Sequence, residues 1–253
     1  MQHAAVLDYL RGPFRTMGGW CSPWLWQLIT PIAERQAEMG VAAPVAEIGV
    51  YHGKFFLGLL LTKGAPAHNH AIDVWDMQQF NLDGAGHGDM AQFAANIDAS
   101  GASPESVTML RADSMAITRQ DIERMREITG GFSLFSVDGC HLAEHTINDI
   151  RIAMELTVPG GIIFVDDYTN PDWPGVQEGV AKLYLMDSPR FVPLACLHNK
   201  LFLCHIGHHA MWLRHLAAAC ARLPQARTKL VRRFGYDSLN LFPHDGGEDY
   251  LGA

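Results

Sequence analysis

The sequence predicts a doubly wound α/β fold: a mostly parallel sheet with helices on both faces and an antiparallel hairpin at its C-terminal end. Three observations predict it. From residue 44 to about 206, apolar runs of strand length alternate with helix-length segments, which favours parallel strands joined by crossover helices. Those runs are rich in Val, Ile and Phe without polar alternation, as in strands buried on both faces. The last two runs are separated only by His198-Asn199, which marks a hairpin.

The elements follow in order. The N-terminal stretch is helical in pattern but broken. Ser22 is placed to cap a helix running from Trp24 to Met39, with Pro31 inside it as a kink and Gly40 as its stop. Residues 44–49 read as a short buried strand entering a glycine turn, and Lys54 to Leu61 as the next helix. Ala71 to Trp75 is a second strand, Asn81 to Gly88 a Gly- and Asp-rich loop, and Asp89 to Ser100 a helix. Ser106 to Arg111 is a third strand and Thr118 to Thr129 a helix with a polar face. Phe132 to Asp138 and Gly161 to Asp166 are strands four and five, with a helix from His141 to Thr157 between them. A helix near Val176 to Met186 leads into the hairpin runs Phe191 to Leu197 and Lys200 to Ile206. The expected organisation is an N-terminal helical cap or lid over residues 1–43, a central unit over 44–207, and a C-terminal helix with a basic tail over 208–253, all in one compact unit. There is no internal repeat and no linker-like stretch.

Composition narrows the function. The chain has 253 residues, 48% of them hydrophobic and 18% charged, which suits a packed globular protein rather than a disordered one. A formal net charge of −8 disfavours a nucleic-acid binder that runs on bulk positive charge. Cys21, Cys140, Cys196, Cys204 and Cys220 are scattered, with no CxxC pair, which fits free thiols in a reducing cytoplasm. Neither a signal peptide nor a membrane-length apolar run is apparent, so a cytoplasmic protein off the membrane is expected.

What stands at the strand ends carries the functional argument, because ligands of such sheets sit at the carboxyl ends of the strands. Strand one ends in Glu47-x-Gly49-x-x-x-Gly53, strand two at Asp73, strand four in Asp138-Gly139 and strand five in Asp166-Asp167. Strand three is followed by Asp113-Ser114. One acid after a strand reads as a helix cap; acids in series are harder to explain that way. The glycine turn lets a ligand approach the backbone and meet a helix N-terminus, and an acid after strand two suits a ribose diol. A dinucleotide dehydrogenase would want G-x-G-x-x-G; Gly49-Val-Tyr-His-Gly53 lacks the first glycine pair, so adenosine without a pyrophosphate fits better.

Glu47-Ile-Gly-Val-Tyr-His-Gly53 resembles the first motif of class I S-adenosylmethionine-dependent methyltransferases, whose fold is a seven-stranded sheet with a reversed terminal pair. Val137-Asp-Gly-Cys-His141 and Pro159-Gly-Gly-Ile-Ile-Phe-Val-Asp-Asp-Tyr168 are similar to the metal-dependent branch, which includes catechol-type and antibiotic-sugar O-methyltransferases. The resemblance spans residues 44–206. It implies that Glu47, Gly49, Tyr51 and Gly53 shape the turn and hold the methionine end of S-adenosylmethionine. It implies that Asp73 binds the ribose, that Val74 or Trp75 packs on the adenine, and that Asp113 and Ser114 sit at the adenine edge, with Asp138 also near the cofactor. It further implies a divalent cation, Mg²⁺ first, on Asp138, Asp166 and Asp167. Catechol-type relatives carry Asn where Asp167 stands; the sugar-modifying ones agree with Asp. Three carboxylates from two adjacent strand ends would repel one another without a cation, and hard oxygen ligands suit Mg²⁺, Mn²⁺ or Ca²⁺. His141 matches the position of a lysine base in catechol-type relatives and suits proton transfer near neutral pH.

Rival readings rest on the same residues. His141-Leu-Ala-Glu144-His145 is also H-x-x-E-H, the pattern of an inverted zinc hydrolase, in which the two histidines would share a helix face. A metal-independent N- or O-methyltransferase would use the same cofactor motif without the cation, and a non-catalytic cofactor-binding protein would keep the fold alone. The expected partner is a small-molecule acceptor, a sugar or a phenolic scaffold. Trp173 is a candidate to stack on its ring, and the loop 84–88 and the segment Trp20-Cys-Ser-Pro-Trp24 to shape its side of the site; the latter suits a lid or a homo-oligomer contact equally. His205, His208, His209 and His215 form a histidine-rich stretch. Residues 208–236 carry six basic residues and no acid, which reads as a solvated helix face or an anion-binding surface. Residues 243–253 read as a loosely held polar end.

Overall fold

The computed structural model describes residues 2–64 and 67–243. Its sheet begins with β1 (Val45–Ile48), β2 (Asn69–Asp73), β3 (Val107–Arg111), β4 (Phe132–Val137) and β5 (Thr157–Val165). It continues with β6 (Phe191–Leu197), β7 (Lys200–His205), β8 (Ala226–Arg233) and β9 (Tyr236–Pro243). The spatial order is β3-β2-β1-β4-β5-β7-β6-β9-β8. β1 to β5 are mutually parallel, and β7 runs antiparallel to both β5 and β6, as the hairpin at His198-Asn199 requires.

Neighbouring strand residues feed opposite faces. On β5, Ile162 and Phe164 join one apolar cluster while Ile163 and Val165 join the other. The first cluster packs under α1 (Gln2–Arg11), α2 (Pro13–Thr16), α3 (Trp26–Glu38), α4 (Lys54–Lys63), α5 (Met90–Ser100) and part of α9 (His209–Cys220). The second packs under α6 (Arg119–Thr129), α7 (Ala143–Leu156) and α8 (Pro174–Met186). The strands are thus buried on both sides, which is why their sequences do not alternate. Capping is orderly: Ser22 Oγ accepts from Trp24 N before α3, and Thr118 with Asp121 forms a capping box at α6.

Three findings differ from the sequence reading. The sheet has two strands beyond the expected seven: β8 and β9 turn at Phe234-Gly235, and β9 pairs in parallel with β6. The basic run is therefore not a helix face. Only Arg214 lies in α9; Arg227, Lys229, Arg232 and Arg233 lie on β8, an edge strand whose outward charges hide its strand character. Finally, α7 begins at Ala143 rather than His141, because Leu142 takes an extended conformation as its N-cap. No helix among the described residues is long and apolar enough to cross a membrane. The expectation for the chain end lies, past Pro243, outside the described residues.

Candidate active site

At the carboxyl ends of β1, β2, β4 and β5 lies a cleft of about 780 Å³. Its floor is the turn after β1. Gly49 sits at φ +83°, and a Cβ there would lie 1.8 Å from the Asp138 carbonyl oxygen, so only glycine lets the ends of β1 and β4 come this close. Gly53, at φ +89°, starts α4 and packs against Phe93 behind the turn rather than lining the cleft. Tyr51 lines the cleft from the left-handed region, at φ +52°. Asp73 braces this turn: its carboxylate accepts from Tyr51 N at 2.7 Å and from Trp75 N at 2.6 Å. Burial pushes its pKa up, against the pull of those N–H groups.

Glu47 is almost fully buried, lines the cleft, and makes no hydrogen bond within the protein through either carboxylate oxygen. Burial pushes its carboxyl up to about 8, opposed by the charge of Lys200. Val74 faces the cleft. Trp75 does not: its ring is in the core, stacked on Phe93, with Nε1 donating to the Tyr51 carbonyl, so of these two residues only Val74 lines the cleft. Asp113 caps a short turn through Met115 N, and both it and Ser114 line the cleft. α7 packs against this turn, with Asn148 Nδ2 donating to Ser114 O at 3.1 Å. One turn earlier on α7, His145 lines the cleft with its Nδ1 unbonded.

Across the cleft, His141 is held between two carboxylates. Its backbone N–H and its Nδ1 both meet Asp83 Oδ2, at 2.6 and 2.7 Å, and its Nε2 meets Asp167 Oδ2 at 3.0 Å. The imidazole stacks on Trp173, with centroids 4.2 Å apart. Burial alone would lower the His141 pKa, but Asp167 and Asp83 outweigh it and carry it up to about 10. Asp83 is correspondingly held below the usual carboxylate range by His141, despite its burial. Asp167, in the left-handed region at φ +53°, is further fixed by Asn170 Nδ2 at 2.8 Å.

Of the expected set Asp138, Asp166 and Asp167, the first and last fall in a group with metal-compatible spacing and Asp166 does not. The Asp166 carboxylate is bonded instead to the buried ammonium of Lys200, which also lies 3.7 Å from Asp138 Oδ2. Burial opposes ionisation of Asp166, but Lys200 outweighs it and holds its pKa down; burial and the Asp166 charge push Asp138 up. Among the described residues, the group with metal-compatible spacing is Asp138, His141 and Asp167, with ligand atoms within 4.8 Å of one another. The zinc reading of His141 and His145 fails on geometry. His141 precedes α7, so the two histidines do not share a helix face, and His145 is not part of that group. The C-terminal histidines do not form a site either: His209 and His215 bond the carbonyls of Asp237 and Pro31.

The sequence reading missed Asp83 and Lys200, and weighed His145 only as a zinc ligand. Asp83 had a faint signal, an acid beside Gly84 in a loop already suspected of serving the acceptor side. Lys200 is the one charged residue of the otherwise apolar run Lys200 to Cys204. In the segment Trp20 to Trp24, Trp20, Cys21 and Ser22 line the cleft, Ser22 Oγ lies 3.0 Å from His198 Nε2, and Trp24 is buried.

Comparison with known proteins agrees with this architecture. Residues 46–168 match the family described as Methyltransferase domain. No curated protein sequence matches the chain. Among solved structures, the O-methyltransferase NovP is similar at a TM-score of 0.55 and 15% identity, covering 70% of this chain and 77% of its own. The O-methyltransferase TomG from Streptomyces achromogenes, solved with S-adenosylmethionine, is similar at 0.52 and 17%, covering 81% and 89%. MycE, a methyltransferase of the mycinamycin pathway solved with Mg and S-adenosylhomocysteine, is similar at 0.53 and 15%, covering 79% of this chain and 54% of its own. The chain has the class I S-adenosylmethionine-dependent methyltransferase fold, and its similarity to the methyltransferase-domain family lies in residues 46–168.

Proposed function

We propose that the protein transfers the methyl group of S-adenosylmethionine to a hydroxyl of a small natural-product or sugar acceptor, with His141 as general base. One observation carries the reading: a histidine clamped by Asp83 and Asp167 stands in the same cleft as the glycine turn and Asp73. Methyl transfer is a displacement, so alignment supplies much of the rate and one group must take the acceptor proton. On the cofactor side, the turn at Gly49 and the start of α4 take the methionine carboxylate, and the unbonded Glu47 carboxylate suits its ammonium. Asp73 takes the ribose diol with its remaining lone pairs. Val74, Asp113, Ser114 and the unbonded Nδ1 of His145 serve the adenine.

The acceptor side is supported by its aromatic walls. Trp20 and Phe80 are exposed at the cleft and Trp173 backs His141, which suits a ring-bearing acceptor. NovP and TomG, both O-methyltransferases, favour oxygen over nitrogen as the atom methylated. The basicity of His141 sets its operating range. With Nε2 protonated in the resting site, the base becomes available as pH rises or as an acceptor hydroxyl separates it from Asp167.

A divalent cation is the second reading, supported by the Asp138–His141–Asp167 spacing and by the Mg bound in MycE. Bound there, it would supply Lewis-acid activation of the acceptor hydroxyl. The two readings compete for one atom, since Nε2 of His141 cannot both ligate and accept a proton. The test is methyl transfer from labelled S-adenosylmethionine to a panel of phenolic and sugar hydroxyls, with chelator and with added Mg²⁺. Activity that survives chelation and is lost in His141→Ala supports the base. Activity that needs the cation assigns His141 to ligation. Cofactor binding without transfer to any hydroxyl acceptor rejects the proposal.

A further inference from the structure

The strand-end acids that the resemblance assigns to a cation already hold one. Lys200 opens β7 beside the turn at His198-Asn199, and only 2% of it is exposed. Its Nζ is bonded to Asp166, lies 3.7 Å from Asp138 Oδ2, and sits 4.2 Å above the centre of the Phe55 ring. Lys200, Asp138 and Asp166 all line the cleft. β5 pairs with both β4 and β7, so the sheet register itself carries the ammonium to the two carboxylates. An ammonium is a compact point charge with three rotatable donors, and a tethered one needs no recruitment from solution.

We propose that Lys200 takes the place of a divalent cation at the Asp138–Asp166 carboxylate pair, and that this pair becomes a metal site only when the ammonium is removed. The arrangement also makes Lys200 a positioning residue. It fixes Asp166, whose Oδ1 accepts from Asp167 N at 2.9 Å; that bond holds the left-handed turn that aims Asp167 Oδ2 at His141. A divalent ion entering beside the lysine would meet its positive charge at short range in a poorly screened pocket, which opposes binding there. Two buried carboxylates left without the ammonium become ready oxygen ligands for a hard cation.

The experiment titrates Mn²⁺ into the full-length protein, following free Mn²⁺ by electron paramagnetic resonance and thermal unfolding in parallel. Neither readout depends on methyl transfer, so failure here and failure of the proposed activity are separable. Asp166→Asn, whose Oδ1 can still accept from Asp167 N, is expected to retain the Mn²⁺ binding of the protein, because the charge it removes is already committed to lysine. Lys200→Met is expected to bind Mn²⁺ at least about tenfold more tightly than the wild type, and to gain more thermal stability from it. Lys200→Met/Asp166→Asn is expected to lose that gain. The proposal is overturned if Asp166→Asn abolishes Mn²⁺ binding by the wild type, or if folded Lys200→Met gains no affinity. Should Lys200→Met not fold, the wild-type and Asp166→Asn comparison still decides whether Asp166 is a ligand.

Discussion

The two halves of the cleft are built differently. The proposed cofactor half comes from strand ends and the turn after β1, where the backbone conformation of Gly49 and the bracing by Asp73 leave little freedom. The proposed acceptor half comes from loops: Trp20 and Cys21 before α3, Asp83 after β2, Trp173 before α8 and His198 between β6 and β7. In the first half the sheet register places the groups; in the second, side-chain bonds between distant loops do, as with Asp83 to His141 and Ser22 to His198. Damage to the first should therefore appear as lost cofactor affinity and stability, and damage to the second as lost turnover with cofactor binding intact.

Gly49→Ala should have the largest effect. A Cβ at 1.8 Å from the Asp138 carbonyl must push β1 and β4 apart at the cleft floor. Calorimetry should detect no S-adenosylmethionine binding, and stability should fall by about 2 kcal/mol or more. His141→Ala should lower kcat by ~10²–10⁴-fold while the cofactor Kd stays within about twofold; an equal loss of cofactor affinity would dissolve the distinction between the halves. Asp73→Ala should weaken cofactor binding by about 10–100-fold, as expected for hydrogen bonds to a charged group, with little effect on the acceptor KM.

The pH dependence is a finer probe. The neutral form of His141 is needed as base, and its pKa is carried up to about 10, so kcat/KM should climb with pH from neutrality toward that value. Asp167→Asn removes a carboxylate that raises this pKa, so the plateau should move to lower pH. Stability should run the other way. The folded pKa lies above the unfolded value near 6.5, so the contribution of His141 is fully present below 6.5 and is lost as pH rises through about 10. Thermal unfolding measured across that window should show Tm falling, and less steeply in Asp167→Asn. The smallest effect is expected for Trp20→Ala: about a few-fold increase in acceptor KM with an unchanged cofactor Kd, as for a partly solvated aromatic contact.

The same division explains what the sequence made legible. Glu47, Asp73, Asp113, Asp138 and Asp166 were readable because parallel strands bring their carboxyl ends to one edge, so position along the chain predicts position in space. Lys200 was not, because it starts a strand on the far side of a hairpin and its partners lie more than thirty residues away, where only register discloses them. Asp83 was hidden for a related reason. A loop acid carries no periodicity, and its pairing with His141 spans 58 residues. The pairing of Asp166 and the later start of α7 have local causes: a lysine neutralising the one, and an extended Leu142 delaying the other. The β8–β9 hairpin escaped because strands are recognised by apolar or alternating runs, and Ala226–Arg233 has neither.

That hairpin also governs how the molecule meets its own copies. β6 is buried along its whole length, and the edge opposite β7 is covered only by β9. Were the hairpin absent, an apolar strand would present open backbone groups to solvent and template further strands. As built, the last strand of the sheet is β8, with Arg227, Lys229, Arg232 and Arg233 along it, so two such edges approaching each other meet mutual repulsion. The basic residues near the C-terminus can thus be understood as colloidal protection, keeping an otherwise extendable sheet finite.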